Sequence, residues 1–102
     1  LKGVDGLGIT SLAGDESFQV TWLDNSGQGD AQELDVAVYV WFNATQKTWH
    51  FFNGINGRAD VGETVSDPSI KEDDVIHFWI FFTRGDKSKV SDSSYKQFVV
   101  EA

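Results

Sequence analysis

Two histidines, a run of aspartates and a set of aromatic residues at period two are the side chains in this 102-residue sequence with chemical potential. His50 and His77 are the candidate general bases, because imidazole exchanges a proton near neutral pH. Neither belongs to a nucleophile or metal motif, and a lone strand histidine reads as a surface or packed residue. Asp73 and Asp74 adjoin in a loop, where neighbouring side chains diverge, so they read as solvating charges ahead of a hydrophobic strand. The segment from Asp24 to Asp35 places Asp24, Ser26, Gln28 and Asp30 at alternate positions, with Gly29 sixth and Asp35 twelfth, an echo of a twelve-residue calcium loop. It lacks the flanking helices and final glutamate of such a loop, so an Asx-rich turn is the preferred reading and no metal or cofactor is expected. Asn43-Ala44-Thr45 fits a glycosylation sequon, a pattern that recurs by chance.

The aromatic residues carry more weight. Alternation divides Val36–Phe42 into Val36, Val38, Val40 and Phe42 on one side, and Ala37, Tyr39 and Trp41 on the other. The aliphatic side is the expected core. In Val75–Thr83, Ile76, Phe78, Ile80 and Phe82 form the core side and His77, Trp79 and Phe81 point outward. Tyr39, Trp41, His77, Trp79 and Phe81 are therefore the expected binding platform. Such rings offer large rigid areas to a sugar or to an apolar patch on a protein. A one-residue change of register exchanges the two faces of a strand.

These residues need a scaffold of strands. Period-two segments and Gly- or Asn-rich turns predict about seven strands, near Gly8–Leu12, Ser17–Leu23, Val36–Phe42, Thr48–Phe52, Arg58–Ser66, Val75–Thr83 and Lys89–Val100. Asn53 to Gly57 and Arg84 to Lys87 are expected turns, and no helical pattern competes. The length supports one domain with one core over residues 1–102. Sixteen acidic residues against eight basic ones give a charge of −8, which disfavours nucleic acid. No apolar run reaches the roughly 18 residues of a membrane-spanning helix. The absence of cysteine leaves the compartment open between a reducing cytosol and a disulfide-free exterior.

The order of landmarks, with an inward Trp22 and a closing hairpin FFTRGDKSKVSDSSY, resembles a fibronectin type III or immunoglobulin-like β-sandwich. Arg84-Gly85-Asp86 sits where some fibronectin type III modules present an integrin-binding tripeptide, although Gly-Asp is also ordinary turn chemistry. TWLDNSGQGDA (Thr21–Ala31), then Asp35 leading VAVYVWFN, then Arg58, then VIHFWIFFTRGDKSKVSDSSY (Val75–Tyr95), is similar to the C-terminal half of an uncharacterised Bacteroidetes protein family. Ser66 to Asp74 departs from that family's pattern. The resemblance implies the sandwich fold and a further region ahead of Leu1, and implies no activity. The expectation is a non-catalytic interaction or assembly module whose aromatic face meets a protein partner, the preceding region or a second copy. The alternative is a carbohydrate-binding module stacking a glycan on the same face.

Overall fold

The computed structural model describes residues 1–86 and 88–102. The strands are β1 (Gly8–Leu12), β2 (Ser17–Thr21), β3 (Val36–Asn43), β4 (Thr48–Gly57), β5 (Gly62–Ser66), β6 (Val75–Thr83) and β7 (Ser94–Val99). They form two antiparallel sheets, β1-β2-β5 and β4-β3-β6-β7, packed as a β-sandwich. The fold is all-β, as expected.

Strand β6 follows its alternation: Ile76, Phe78, Ile80 and Phe82 are buried, opposite Phe18, Val20 and Val65 of the other sheet. Phe18 packs edge-on against Trp41, Phe78 and Phe98, which fixes the middle of the core. Strand β3 reverses the expectation. Ala37, Tyr39 and Trp41 are buried, whereas Val36, Val38, Val40 and Phe42 lie on the outer face. Polar tips explain the inversion. The Tyr39 hydroxyl donates to Glu63 Oε1 at 2.7 Å, and the Trp41 indole donates to Asp67 Oδ2 at 2.8 Å. Both rings thus reach carboxylates brought in by or beside β5, and aliphatic residues have no need of such partners.

Boundaries also differ: β2 stops at Thr21 instead of Leu23, and the last strand spans Ser94–Val99 instead of Lys89–Val100. The expected turn Asn53 to Gly57 continues β4, because Gly54 passes so close to β3 that a Cβ there would strike the Ala37 carbonyl and the Tyr39 ring. The expected strand from Arg58 begins with a 3₁₀ turn, Arg58–Asp60, and only Gly62–Ser66 is extended. The turn expected over Arg84 to Lys87 includes Lys87, which lies outside the described residues.

Loops at one end of the sandwich converge on a buried ionic cluster. Arg58 donates to Asp35 Oδ2 from Nε at 3.2 Å and from an Nη at 3.0 Å, and to Asn25 Oδ1 at 2.6 Å. It also reaches the Lys2 carbonyl at 2.7 Å and lies 4.1 Å from the Phe82 ring centroid. Arg84 Nε holds the other oxygen of Asp35 at 3.0 Å. Trp22 donates its indole hydrogen to the Arg58 carbonyl at 2.8 Å. The Trp22, Asn25, Asp35 and Arg58 motif is thereby a structural tie between three loops and the N-terminal segment.

Candidate binding face

The outer face of β4-β3-β6-β7 is built by alternation across four registered strands. One transverse row runs Phe51, Val40, Trp79, Tyr95 and the next runs Trp49, Phe42, His77, Gln97. Val38 and Phe81 extend the surface toward Arg84, and Val90 flanks it. None of these residues is a lysine, an arginine or a carboxylate. Trp49 is 65% exposed, Phe51 66% and Tyr95 50%.

The rings form a connected array. Trp49 stacks on Trp79 with centroids 5.8 Å apart and an interplanar angle of 26°, and Trp79 lies 5.2 Å from Tyr95. Phe42 packs 4.7 Å from Trp49. His77 lies parallel to Tyr95 within 16°, and its Nδ1 is 2.6 Å from the Tyr95 hydroxyl. Two shallow depressions, of about 290 and 370 Å³, lie between Trp49 and Ser93 and between Phe51 and Val90. Flat rings beside shallow hollows can accept another flat or apolar surface; they do not enclose a small substrate.

Of the five residues expected to form the platform, His77, Trp79 and Phe81 lie on this face. Tyr39 and Trp41 lie on the opposite side of the same sheet, in the core. Burial and the adjacent Glu63 carboxylate push the Tyr39 hydroxyl far above the ordinary tyrosine range, so it stays protonated as a donor. Trp49, Phe51 and Tyr95 are the members that the sequence reading missed. Trp49 and Phe51 share an alternation class in Thr48–Phe52, which was the available signal.

The other candidates resolve into structural roles. His50 lies on the inner side of β4, stacked 5.5 Å from Trp41 and 3.0 Å from the Thr48 hydroxyl, so the two histidines occupy opposite faces. Neither is hydrogen-bonded to a carboxylate among the described residues. Asp24 accepts from the Ser26 N–H at 2.9 Å and from its hydroxyl, an Asx turn. Asp30 pairs with Lys89, and Asp35 with Arg58 and Arg84, so these two carboxylates of the calcium-like loop hold cations of the protein itself. Arg84 is bound to Asp35 and to the Asp30 carbonyl, which removes it from a freely presented tripeptide. Asn43 is buried against Asp74, so the sequon is closed in the folded chain.

Asp74 is a correction. It is buried, not solvating, and accepts from Asn43, Gln46 and the Lys71 N–H. Burial works to raise its pKa, but those donors outweigh it and hold the carboxyl below its ordinary value.

The same architecture appears in a solved, computationally redesigned β-sandwich protein, with a TM-score of 0.64 over all of this chain and 97% of that one. Identity is 11%, so the likeness extends to the fold alone. No curated protein matches the chain. A family profile covers residues 4–97. The chain belongs to DUF6266, a family of unknown function. The DUF6266 span runs from Val4 to Gln97, so it includes Asn25, Asp35, Arg58 and Arg84 of the ionic cluster and the rings of the outer face, and starts just after the Lys2 carbonyl that Arg58 holds.

Proposed function

We propose that this DUF6266 domain is a non-catalytic interaction or assembly module and that the outer face of its four-stranded sheet is the binding surface. The supporting observation is the uncharged array of Trp49, Phe51, Trp79, Phe81 and Tyr95, in a chain with 24 charged residues. Soluble proteins seldom leave a contiguous apolar patch of more than a few hundred Å² uncovered. The strand order β1-β2-β5 and β4-β3-β6-β7 also favours the fibronectin type III-like reading, and that family of folds often serves as an interaction scaffold.

Glycan binding is the second reading, favoured by the row Trp49, Trp79, Tyr95, whose consecutive centroids lie 5.8 and 5.2 Å apart. Successive rings of this kind can stack on successive sugars. The four indole N–H groups provide one test for both readings. Trp22 and Trp41 donate inside the core and serve as internal controls, while Trp49 and Trp79 report on the face. In nuclear magnetic resonance titrations, the Trp49 and Trp79 indole signals should shift while those of Trp22 and Trp41 stay fixed. A shift with protein concentration supports assembly, and a shift with soluble oligosaccharides supports a glycan. Signals that stay fixed in both titrations overturn the self-assembly and glycan readings.

A further inference from the structure

The edge of the sheet carries information separate from its face. The Ala44 N–H donates to the Val75 carbonyl at 2.8 Å. Backbone groups alternate along an antiparallel strand, so Phe42 and Val40 also point toward β6, while Asn43, Trp41 and Tyr39 point toward β4. Their partners are Thr48, His50 and Phe52. The N–H and C=O groups of Trp49, Phe51 and Asn53 therefore face away from the sheet.

The four sheet edges differ in how they are guarded. β1 has only five residues, and the C-terminal segment covers its end, with Ala13 N–H on the Glu101 carbonyl and Glu101 N–H on the Ser11 carbonyl. β7 carries Lys96 at a core-side register position, a charge that opposes further pairing. β5 faces the far half of β4, where Glu63 Oε2 accepts from the Ile55 N–H at 2.9 Å and Asn56 Nδ2 reaches the Gly62 carbonyl. Trp49 to Asn53 has no lysine, arginine or carboxylate, no proline and no covering segment among the described residues. Natural sheets rarely leave such an edge open, because it templates another strand.

We infer that β4 pairs antiparallel with β4 of a second copy, about a two-fold axis at Phe51. This register joins Phe51 to its counterpart and Trp49 to Asn53 of the second copy, using all three open backbone positions. It also brings Lys47, in the turn just ahead of β4, toward the end of the second copy's strand where the Ile55 N–H holds the Glu63 carboxylate, a cation near an anion at each end of the joint. The pair needs no other partner, since one segment complements itself under two-fold symmetry. The result is an eight-stranded sheet in which the two aromatic faces become continuous. This deepens the assembly reading by naming the occupant, while resting on the edge and not on the face.

Solution mass over a concentration series at about 0.15 M salt, where charge repulsion between copies is screened beyond roughly 8 Å, tests the pairing. The native chain should dimerise. Phe51→Pro removes an outward N–H and leaves the bonds to β3 intact, and it should yield a folded monomer. Trp79→Lys alters the centre of the face and should remain dimeric. In the native chain, amide exchange at Trp49, Phe51 and Asn53 should slow by tenfold or more from dilute to concentrated protein. That readout holds even if the proline variant fails to fold. A native monomer up to millimolar concentration, or a dimer split by Trp79→Lys and untouched by Phe51→Pro, overturns edge pairing. The second of those outcomes leaves the face as the assembly surface, so the two readings fail separately.

Discussion

The two outward faces of this sandwich arise from the same alternation and offer water opposite things. On β1-β2-β5 the outer positions are Gly8, Thr10, Leu12, Ser17, Gln19, Thr21, Gly62, Thr64 and Ser66, with Leu12 the one large apolar side chain and Thr64 donating to Gln19 across the strands at 2.8 Å. On β4-β3-β6-β7 they include Trp49, Phe51, Val38, Val40, Phe42, Trp79, Phe81 and Tyr95, with His77 and Gln97 as polar members. The core is formed by the inner faces of both sheets, so neither outer composition is required for folding. A hydroxyl-rich face satisfies solvent. An apolar one leaves rings in contact with water, and the proposed interaction would cover them.

If that separation holds, stability resides in the inner faces and the ionic cluster. The largest effect should come from Asp35→Ala, which leaves the buried Arg58 guanidinium without its main counter-charge. Breaking a buried pair from one side costs about 3–5 kcal/mol. Equilibrium urea unfolding would measure it, and a loss below about 1 kcal/mol would mean that the Asn25 and backbone partners of Arg58 suffice without Asp35.

The next contrast lies within one sheet. Trp41→Phe removes the indole donor to Asp67 and leaves a buried carboxylate oxygen short of a partner, a cost of about 1–3 kcal/mol. Trp79→Phe on the outer side keeps a ring against Val40 and Tyr95 and should cost under about 1 kcal/mol. Equal losses in the two variants would erase the distinction between the faces.

The same pair of residues shows what could be read from the chain. The span of β6 and its inward set follow from the run Val75–Phe82, in which one side, Ile76, Phe78, Ile80 and Phe82, is wholly apolar and the other carries His77. β3 is apolar on both sides, so hydrophobicity could not choose between them. The choice was made by hydrogen-bond partners 24 and 26 residues away, Glu63 and Asp67. Arg58 was legible as a motif position but not as a buried ion, because its partners come from the β2–β3 loop and the N-terminal segment, which meet it only in the fold. The site was thus half visible: its sheet and its β6 members could be read, and the contribution of β4 depended on that strand lying beside β3.

Acid should sharpen the contrast at the other end of the sandwich. The native pKa of Asp74 lies below its ordinary value of 3.8. Its ionised form therefore contributes stability that is complete above that value and is lost as pH falls through the lower native one. Asp74→Asn lacks this contribution, so the stability advantage of the native chain over the variant should shrink between pH 5 and pH 2. A constant gap across that range would assign the role of Asp74 to shape instead of charge.

The smallest effect on stability should accompany the largest effect on association. Replacing Trp49 and Phe51 together with threonine gives this edge of the face the composition of the opposite one. Both side chains are mostly exposed, and their chief loss is the Phe42–Trp49 contact, so unfolding free energy should change by about 1 kcal/mol or less. The backbone groups of β4 remain open in this variant, while the rings that would shield a paired edge from water are gone. Concentration-dependent movement of the Trp79 indole signal should then weaken or vanish, with Trp22 and Trp41 unchanged. If the signal moves as before, Trp49 and Phe51 are dispensable for association, and the backbone edge alone or the Trp79–Tyr95 side of the face must carry it.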